Sequence, residues 1–149
     1  MDSIDRRLLN VLQEGLPICP KPYKVLGDTL GITEAECLER VQRLVETNVV
    51  RRIGGVFNSS RMGMKSTLCA MEVPAERIDE IALFINGFSE VTHNYVRNNR
   101  LNIWFTLTAT SQEQLENMVK KIENHCRIKV FNLPALKTYK IKVAFRFNE

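Results

Sequence analysis

Residues 90–108 read Glu-Val-Thr-His-Asn-Tyr-Val-Arg-Asn-Asn-Arg-Leu-Asn-Ile-Trp-Phe-Thr-Leu-Thr, and their alternation decides the architecture. Side chains on a strand point to opposite faces in turn. Residues 90–97 and 101–108 therefore form two strands, and Asn98-Asn99 between them tolerates the positive φ of a type I′ hairpin turn. That turn sets Tyr95 opposite Asn102 and His93 opposite Trp104. His93, Tyr95, Arg97, Asn102 and Trp104 then converge on one face, while Ile103, Phe105 and Leu107 point to the other as the core.

Working outward, residues 66–73 form a strand and residues 75–86 a helix ended by Gly87. Beyond the hairpin comes a helix over 111–124, with Ser111 as N-cap and Gln114 completing a capping box. Strands follow at 127–133 and 137–147, interrupted at Pro134. The order β-α-β-β-α-β is the ferredoxin-like plan with one extra terminal strand. Such a sheet hides one face under two helices and leaves the other for a partner or a ligand.

The first part has a different period. Ile4, Leu8, Leu9, Val11 and Leu12 make one helical stripe in residues 2–14, stopped by Gly15 and Pro17. A short helix over 23–30 ends at Gly31. A third, over 34–47, starts behind Thr33 with Glu36 as its box partner and turns Cys37, Leu38, Val41, Leu44 and Val45 inward. Three short helices of this kind make a helix-turn-helix, and residues 49–57 read as a strand or wing broken by Gly54-Gly55. The expected fold class is α+β: a winged helix-turn-helix over 1–60, then a ferredoxin-like βαββαβ domain over 61–149.

Composition narrows the function. With 149 residues, 44% hydrophobic and 26% charged, the chain has the makeup of an ordinary globular protein. The acidic start and the lack of any apolar run near the ~18 residues of a membrane span predict a cytoplasmic protein without a membrane partner. Cys19, Cys37, Cys69 and Cys126 are scattered, as isolated buried thiols would be, with no close pair for zinc or redox chemistry. Residues 1–50 hold six Lys and Arg against eight acids, whereas the rest hold fifteen against nine, so the net +4 belongs to the second part. In the third helix Glu34, Glu36, Glu39 and Glu46 outnumber Arg40 and Arg43. Carboxylates beside a polyanion oppose the electrostatic attraction behind most non-specific affinity, which argues against DNA as a partner. That module is expected to serve packing and assembly.

Over essentially its whole length the chain resembles the Lrp/AsnC family of regulators. Two stretches are more specific. Arg51-Arg52-Ile53-Gly54, with Gly63 and Ser66-Thr67-Leu68, and the hairpin's His93-Asn94-Tyr95, Arg97, Asn102, Trp104 and Phe105 are similar to the sirohaem decarboxylase branch. The resemblance implies a carboxy-lyase of the alternative haem biosynthesis route. It would remove CO₂ from two acetate side chains of sirohaem to give didecarboxysirohaem, with no added organic cofactor, the iron being carried by the substrate. It also implies a heterodimer with a paralogous subunit, which we expect to join through the open sheet faces. Leu101 stands where the family's hairpin tends to carry an aromatic residue, which puts the completeness of this subunit's own site in question.

Physical chemistry suggests roles within that frame. Imidazole exchanges a proton near neutral pH, so His93 is the first proton donor to consider, with Tyr95 second. His93 is alternatively an axial ligand of the substrate iron. Arg97, with Arg51, Arg52, Arg61, Lys65 and Arg100, supplies positive charge for a polycarboxylate, and the arginine forks can hold carboxylates in two-point contacts. Trp104 and Tyr95 offer flat surface to a macrocycle, and Asn102 a polar contact. His125 is expected to cap its helix, and Met62 and Met64 to fill core. Competing readings are a transcription regulator sensing a small molecule or haem, a sheet face merely closed by a dimer partner, and a tetrapyrrole-binding partner without catalysis.

Overall fold

The computed structural model describes residues 1–140 and 144–147. They form two compact units, Met1–Gly55 with the described part of Lys140–Glu149, and Val56–Tyr139.

The first unit holds α1 (Ser3–Leu12), α2 (Pro22–Leu30) and α3 (Glu34–Glu46). Its core is Leu8, Leu9, Leu26, Leu30, Cys37, Val41 and Leu44. Leu38 and Val45, expected inside, are 47% and 37% exposed, because Cys37, Val41 and Leu44 already fill the narrow stripe that α3 presents. The capping box lies where it was not expected. Asp2 Oδ1 accepts from the Asp5 N–H at 2.8 Å, and Asp5 Oδ2 from the Asp2 N–H at 3.1 Å. At α3, Thr33 Oγ1 does accept from the Glu36 N–H at 3.1 Å, but the Glu36 carboxylate turns to Arg40 Nε at 2.9 Å. Gly27 is buried where α2 meets the turn into α3; a Cβ there would stand 2.8 Å from the Ile32 carbonyl oxygen. Residues 51–57 run as exposed irregular chain, so the expected wing strand does not form. No second strand of this unit offers backbone partners to it among the described residues.

The second unit opens with a 3₁₀ turn at Ser59–Met62, closed by Gly63 at φ 79°. It continues through β1 (Lys65–Met71), a 3₁₀ turn at Ala75–Arg77, α4 (Ile78–Asn86), β2 (Val91–Val96), β3 (Ile103–Ala109), α5 (Gln112–Cys126) and β4 (Val130–Leu133). The strand order is β2-β3-β1-β4, with each neighbouring pair antiparallel, as the ferredoxin-like plan requires. One face packs Cys69, Met71, Ile103, Phe105 and Leu107 against Ile81 and Ile85 of α4 and Leu115 and Ile122 of α5. Ser111 caps α5 by accepting from the Gln114 N–H, but the Gln114 side chain reaches back to the Thr110 N–H at 3.1 Å rather than closing a box. His125 lies in the last turn of α5, with its ring stacked on Phe84 at 3.7 Å, and the C-cap position is Arg127. Cys37, Cys69 and Cys126 are buried, whereas Cys19 is exposed, correcting the expectation for that thiol. Burial pushes the Cys69 thiol up to about 12. Met62 is 63% exposed and fills no core.

The expected terminal strand over 137–147 does not extend this sheet in its described residues; 141–143 lie outside them. The described end instead pairs with α1. Gln13 Nε2 donates to the Phe145 carbonyl, and Gln13 Oε1 accepts from its N–H, both at 2.8 Å. Asn10 treats Phe147 in the same way, at 2.9 and 3.2 Å. Two side-chain amides thus take the place of a neighbouring strand. The domain division at 61 therefore omits a C-terminal stretch that returns to the first unit.

Candidate functional site

The hairpin closes through four residues, 98–101, rather than two. The Arg97 N–H donates to the Asn102 carbonyl at 2.7 Å, Tyr95 pairs with Trp104, and His93 with Thr106. The register is two residues from the one expected. A slip by two keeps every side chain on its face, whereas a slip by one would invert the set. The cause is Asn102. Its Nδ2 donates to the Val73 carbonyl at 2.7 Å, its Oδ1 accepts from the Val73 N–H at 2.9 Å, and its own N–H donates to Met71. Asn102 is a clamp between the start of β3 and the end of β1, and its amide is spent there.

A β-bulge adds a feature that alternation does not foretell. Val91 pairs with Leu107 and His93 with Thr106, so Thr92 is an extra residue without a cross-strand partner. Its hydroxyl lies 2.6 Å from that of Thr106, and His93 Nδ1 lies 3.0 Å from Thr92 Oγ1. The His93 and Tyr95 rings are 6.1 Å apart and inclined by 28°. The Arg97 guanidinium sits over the Tyr95 ring, 5.9 Å from its centre. Trp104 Nε1 donates to the Leu101 carbonyl at 2.7 Å, which fixes the indole plane.

Leu68, His93, Tyr95, Arg97, Trp104 and Thr106 thus line a hollow of about 160 Å³ on the open sheet face. Arg97 has no carboxylate within ion-pair distance among the described residues. Thr106 and Leu68 were legible from alternation through Trp104 and across to β1; Thr92 was not, because only the bulge turns it to this face. The remaining sequence candidates lie outside the lining. Arg100 is ion-paired to Glu72 at 2.7 Å. Lys65 pairs with Ala109 at the start of β1 and falls on the same side as Thr67 and Cys69. Arg51 and Arg52 are exposed residues of the first unit. A larger depression of about 380 Å³ beside Ser111, Gln114 and Lys121 of α5 has no aromatic lining.

The helix that would read DNA is occupied. Arg40 Nη1 holds Asp2 at 2.8 Å and Asp5 at 2.9 Å, and its other nitrogens hold Glu36. Arg43 Nη2 contacts both Asp5 oxygens at 2.8 Å. Asp5 is 1% exposed. Its burial pushes the carboxyl up, but hydrogen bonds from the Asp2 N–H and Arg40 outweigh that and leave it below the usual range. Arg40 brings Asp2 down to about 2. Both cations of α3 are turned to acids of α1 and of α3 itself, so neither is free for a phosphate.

A helix-turn-helix before a ferredoxin-like sheet with one open face defines the AsnC-like class. The AsnC-like ligand binding domain family matches residues 61–140, and the siroheme decarboxylase NirDL-like HTH domain family matches residues 5–51. An AsnC family transcriptional regulator from Agrobacterium tumefaciens superposes with a TM-score of 0.80 at 19% identity, covering 97% of this chain and 96% of that one, which speaks for the fold alone. The chain is 51% identical to the siroheme decarboxylase alpha subunit of Nitratidesulfovibrio vulgaris, over 99% of this chain and 84% of that protein. It is 43% identical to the NirD subunit of the Pseudomonas aeruginosa enzyme, over 97% and 96%. The crystal structure of the siroheme decarboxylase NirDL superposes with a TM-score of 0.73 at 31% identity, over 93% of this chain and 45% of that one. The chain belongs to the family of sirohaem decarboxylase subunits. NirD and NirG subunits both occur in Pseudomonas aeruginosa, so the family builds its enzyme from more than one subunit.

Proposed function

We propose that this chain removes CO₂ from two acetate side chains of sirohaem, giving didecarboxysirohaem, as one half of a heterodimer with a paralogous subunit in the cytoplasm. The observation that carries this is the set on the hairpin: Arg97, without a carboxylate partner among the described residues, with Tyr95 and His93 beside Trp104, all on an open face. The resemblance supplies the substrate, and one related NirDL structure is of a complex with an iron-uroporphyrin III analogue. A hollow of about 160 Å³ is too small for a macrocycle, since sites for drug-sized ligands run from roughly 300 to 1,000 Å³. The tetrapyrrole therefore extends across the sheet face and the paralogue closes over it. Trp104 and Tyr95 give its plane an apolar rest.

In this reading Arg97 binds a non-reacting carboxylate and uses that remote contact to press the reacting acetate against Leu68. An ionised carboxylate on an apolar surface is poorly solvated, and loss of neutral CO₂ relieves that. The bond between methylene and carboxyl carbons breaks, and its electron pair stays on the methylene carbon and spreads into the macrocycle. A proton from His93 then completes the methyl group, with Tyr95 the second candidate. Each round converts a carboxylate and a proton into a methyl group and CO₂; the iron remains with the substrate. Carboxylate contacts from Arg51, Arg52, Lys65 and Arg100 rest on charge and resemblance alone.

The test is anaerobic incubation of the purified chain with sirohaem, alone and with the paralogue, followed by mass analysis of the tetrapyrrole. Loss of two CO₂ only with the paralogue is the expected result. Unchanged sirohaem in both samples would sink the reading, and bound but unchanged sirohaem would make the chain a carrier.

A further inference from the structure

We propose that Thr92, held by Thr106, is a positioning residue that fixes the His93 ring through Nδ1 and leaves Nε2 free for the hollow. This rests on the decarboxylase reading for its purpose, but not for its geometry. Regular alternation would send Thr92 to the same side as Asn94, whose amide donates to Ala82 and Asn86 of α4. The bulge turns it over instead, so that Thr92 and His93 both reach the open face where Thr106 stands. His93 Nδ1 then lies 3.0 Å from Thr92 Oγ1 and 3.4 Å from Thr106 Oγ1.

The direction of this chain follows the charge on the ring. With a neutral ring protonated on Nε2, Thr106 donates to Thr92 at 2.6 Å and Thr92 to Nδ1. The imidazolium, which is the form able to give up a proton from Nε2, carries an Nδ1–H as well, and the order reverses: Nδ1–H donates to Thr92 and Thr92 to Thr106. Because each hydroxyl can both donate and accept, the pair holds the ring in either charge state and leaves Nε2 to the hollow.

Tautomers are read directly in the full-length free protein by ¹⁵N shifts of the two ring nitrogens at about pH 8, where imidazole is neutral. The chain has only two histidines, so His93 is assigned by comparison with H125Q. The wild-type tautomer ratio is expected to be preserved in T92S and to shift in T92V. An unchanged ratio in T92V overturns the proposal. Turnover with the paralogue gives the second arm: T92V should lose about tenfold or more in kcat with KM nearly constant, and T92S should recover it. Equal activity of T92V and wild type overturns the positioning role. If the wild type itself leaves sirohaem unchanged, the decarboxylase reading fails, and the shifts still judge the geometry.

Discussion

Two regions of this molecule carry arginines, and they use them in opposite ways. On α3, Arg40 and Arg43 close on Asp2, Asp5 and Glu36 within 2.9 Å. On the hairpin, Arg97 has only the face of Tyr95 beneath it. The same side chain is a structural tie in one place and an open donor in the other. The difference lies in what the backbone brings alongside: a buried acid on α1, or an aromatic ring and apolar strand residues. A helix-turn-helix whose α3 arginines are turned to its own acids offers neither of them to a phosphate, whatever its shape suggests.

The comparison breaks most visibly at Asp5. Asp5→Ala leaves Arg40 and Arg43 facing an emptied buried acceptor and should cost about 3 kcal/mol, in the range for removing one partner of a buried pair. Urea unfolding measures this, and a loss below about 1 kcal/mol would show that the network is not a structural tie. The converse substitution is Arg97→Ala. We expect no change in melting temperature and a KM for sirohaem raised roughly tenfold, since a charge-assisted contact of about 1.5 kcal/mol is lost. Arg97→Lys should recover only part, because an ammonium cannot make the two-point contact. A fall in stability with unchanged KM would mean that Arg97, too, is structural.

Acid sharpens the contrast within the first unit. Asp2 and Asp5 sit below the usual carboxylate range when folded, so their contribution is whole above about pH 4, where the unfolded groups are ionised. It is lost as pH falls through the folded value, near 2 for Asp2. Thermal unfolding of the wild type between pH 5 and 2 should therefore show a falling limb, and Asp2→Asn should flatten it. An identical limb in both proteins would remove Asp2 from the network's acid response.

The hairpin's open face was legible because strand alternation has a period of two, and no even-numbered slip disturbs it. The mistaken partner for Tyr95 was therefore harmless, while the choice of Asn102 as a ligand contact was not. Its amide answers Val73, a long-range contact that no local pattern encodes. The bulge at Thr92 escaped for the same reason, since an extra residue shows only when the opposite strand is counted against it. The acidity of α3 was readable residue by residue, but its ties to Asp2 and Asp5 required two helices to be brought together across more than thirty positions. At the C-terminal end, Asn10 and Gln13 read as ordinary polar helix positions, although their amides bind Phe145 and Phe147. Periodicity finds faces; it does not find the single amide that redirects a chain.

The smallest expected effect separates charge in the sequence from charge in the site. Arg100 is three residues from Arg97, and sequence alone places them in one basic cluster. In the structure Arg100 answers Glu72, and both side chains are more than half exposed. An exposed pair of this kind contributes about 0 to 1 kcal/mol, so Arg100→Gln should shift stability by less than about 0.5 kcal/mol. It should leave the KM for sirohaem within about twofold, because the contact it removes lies outside the hollow. The measurement is a titration of turnover against sirohaem with the paralogue present. A rise in KM comparable to that of Arg97→Ala would mean that Arg100 leaves Glu72 when the substrate arrives, and that the site extends over the hairpin loop.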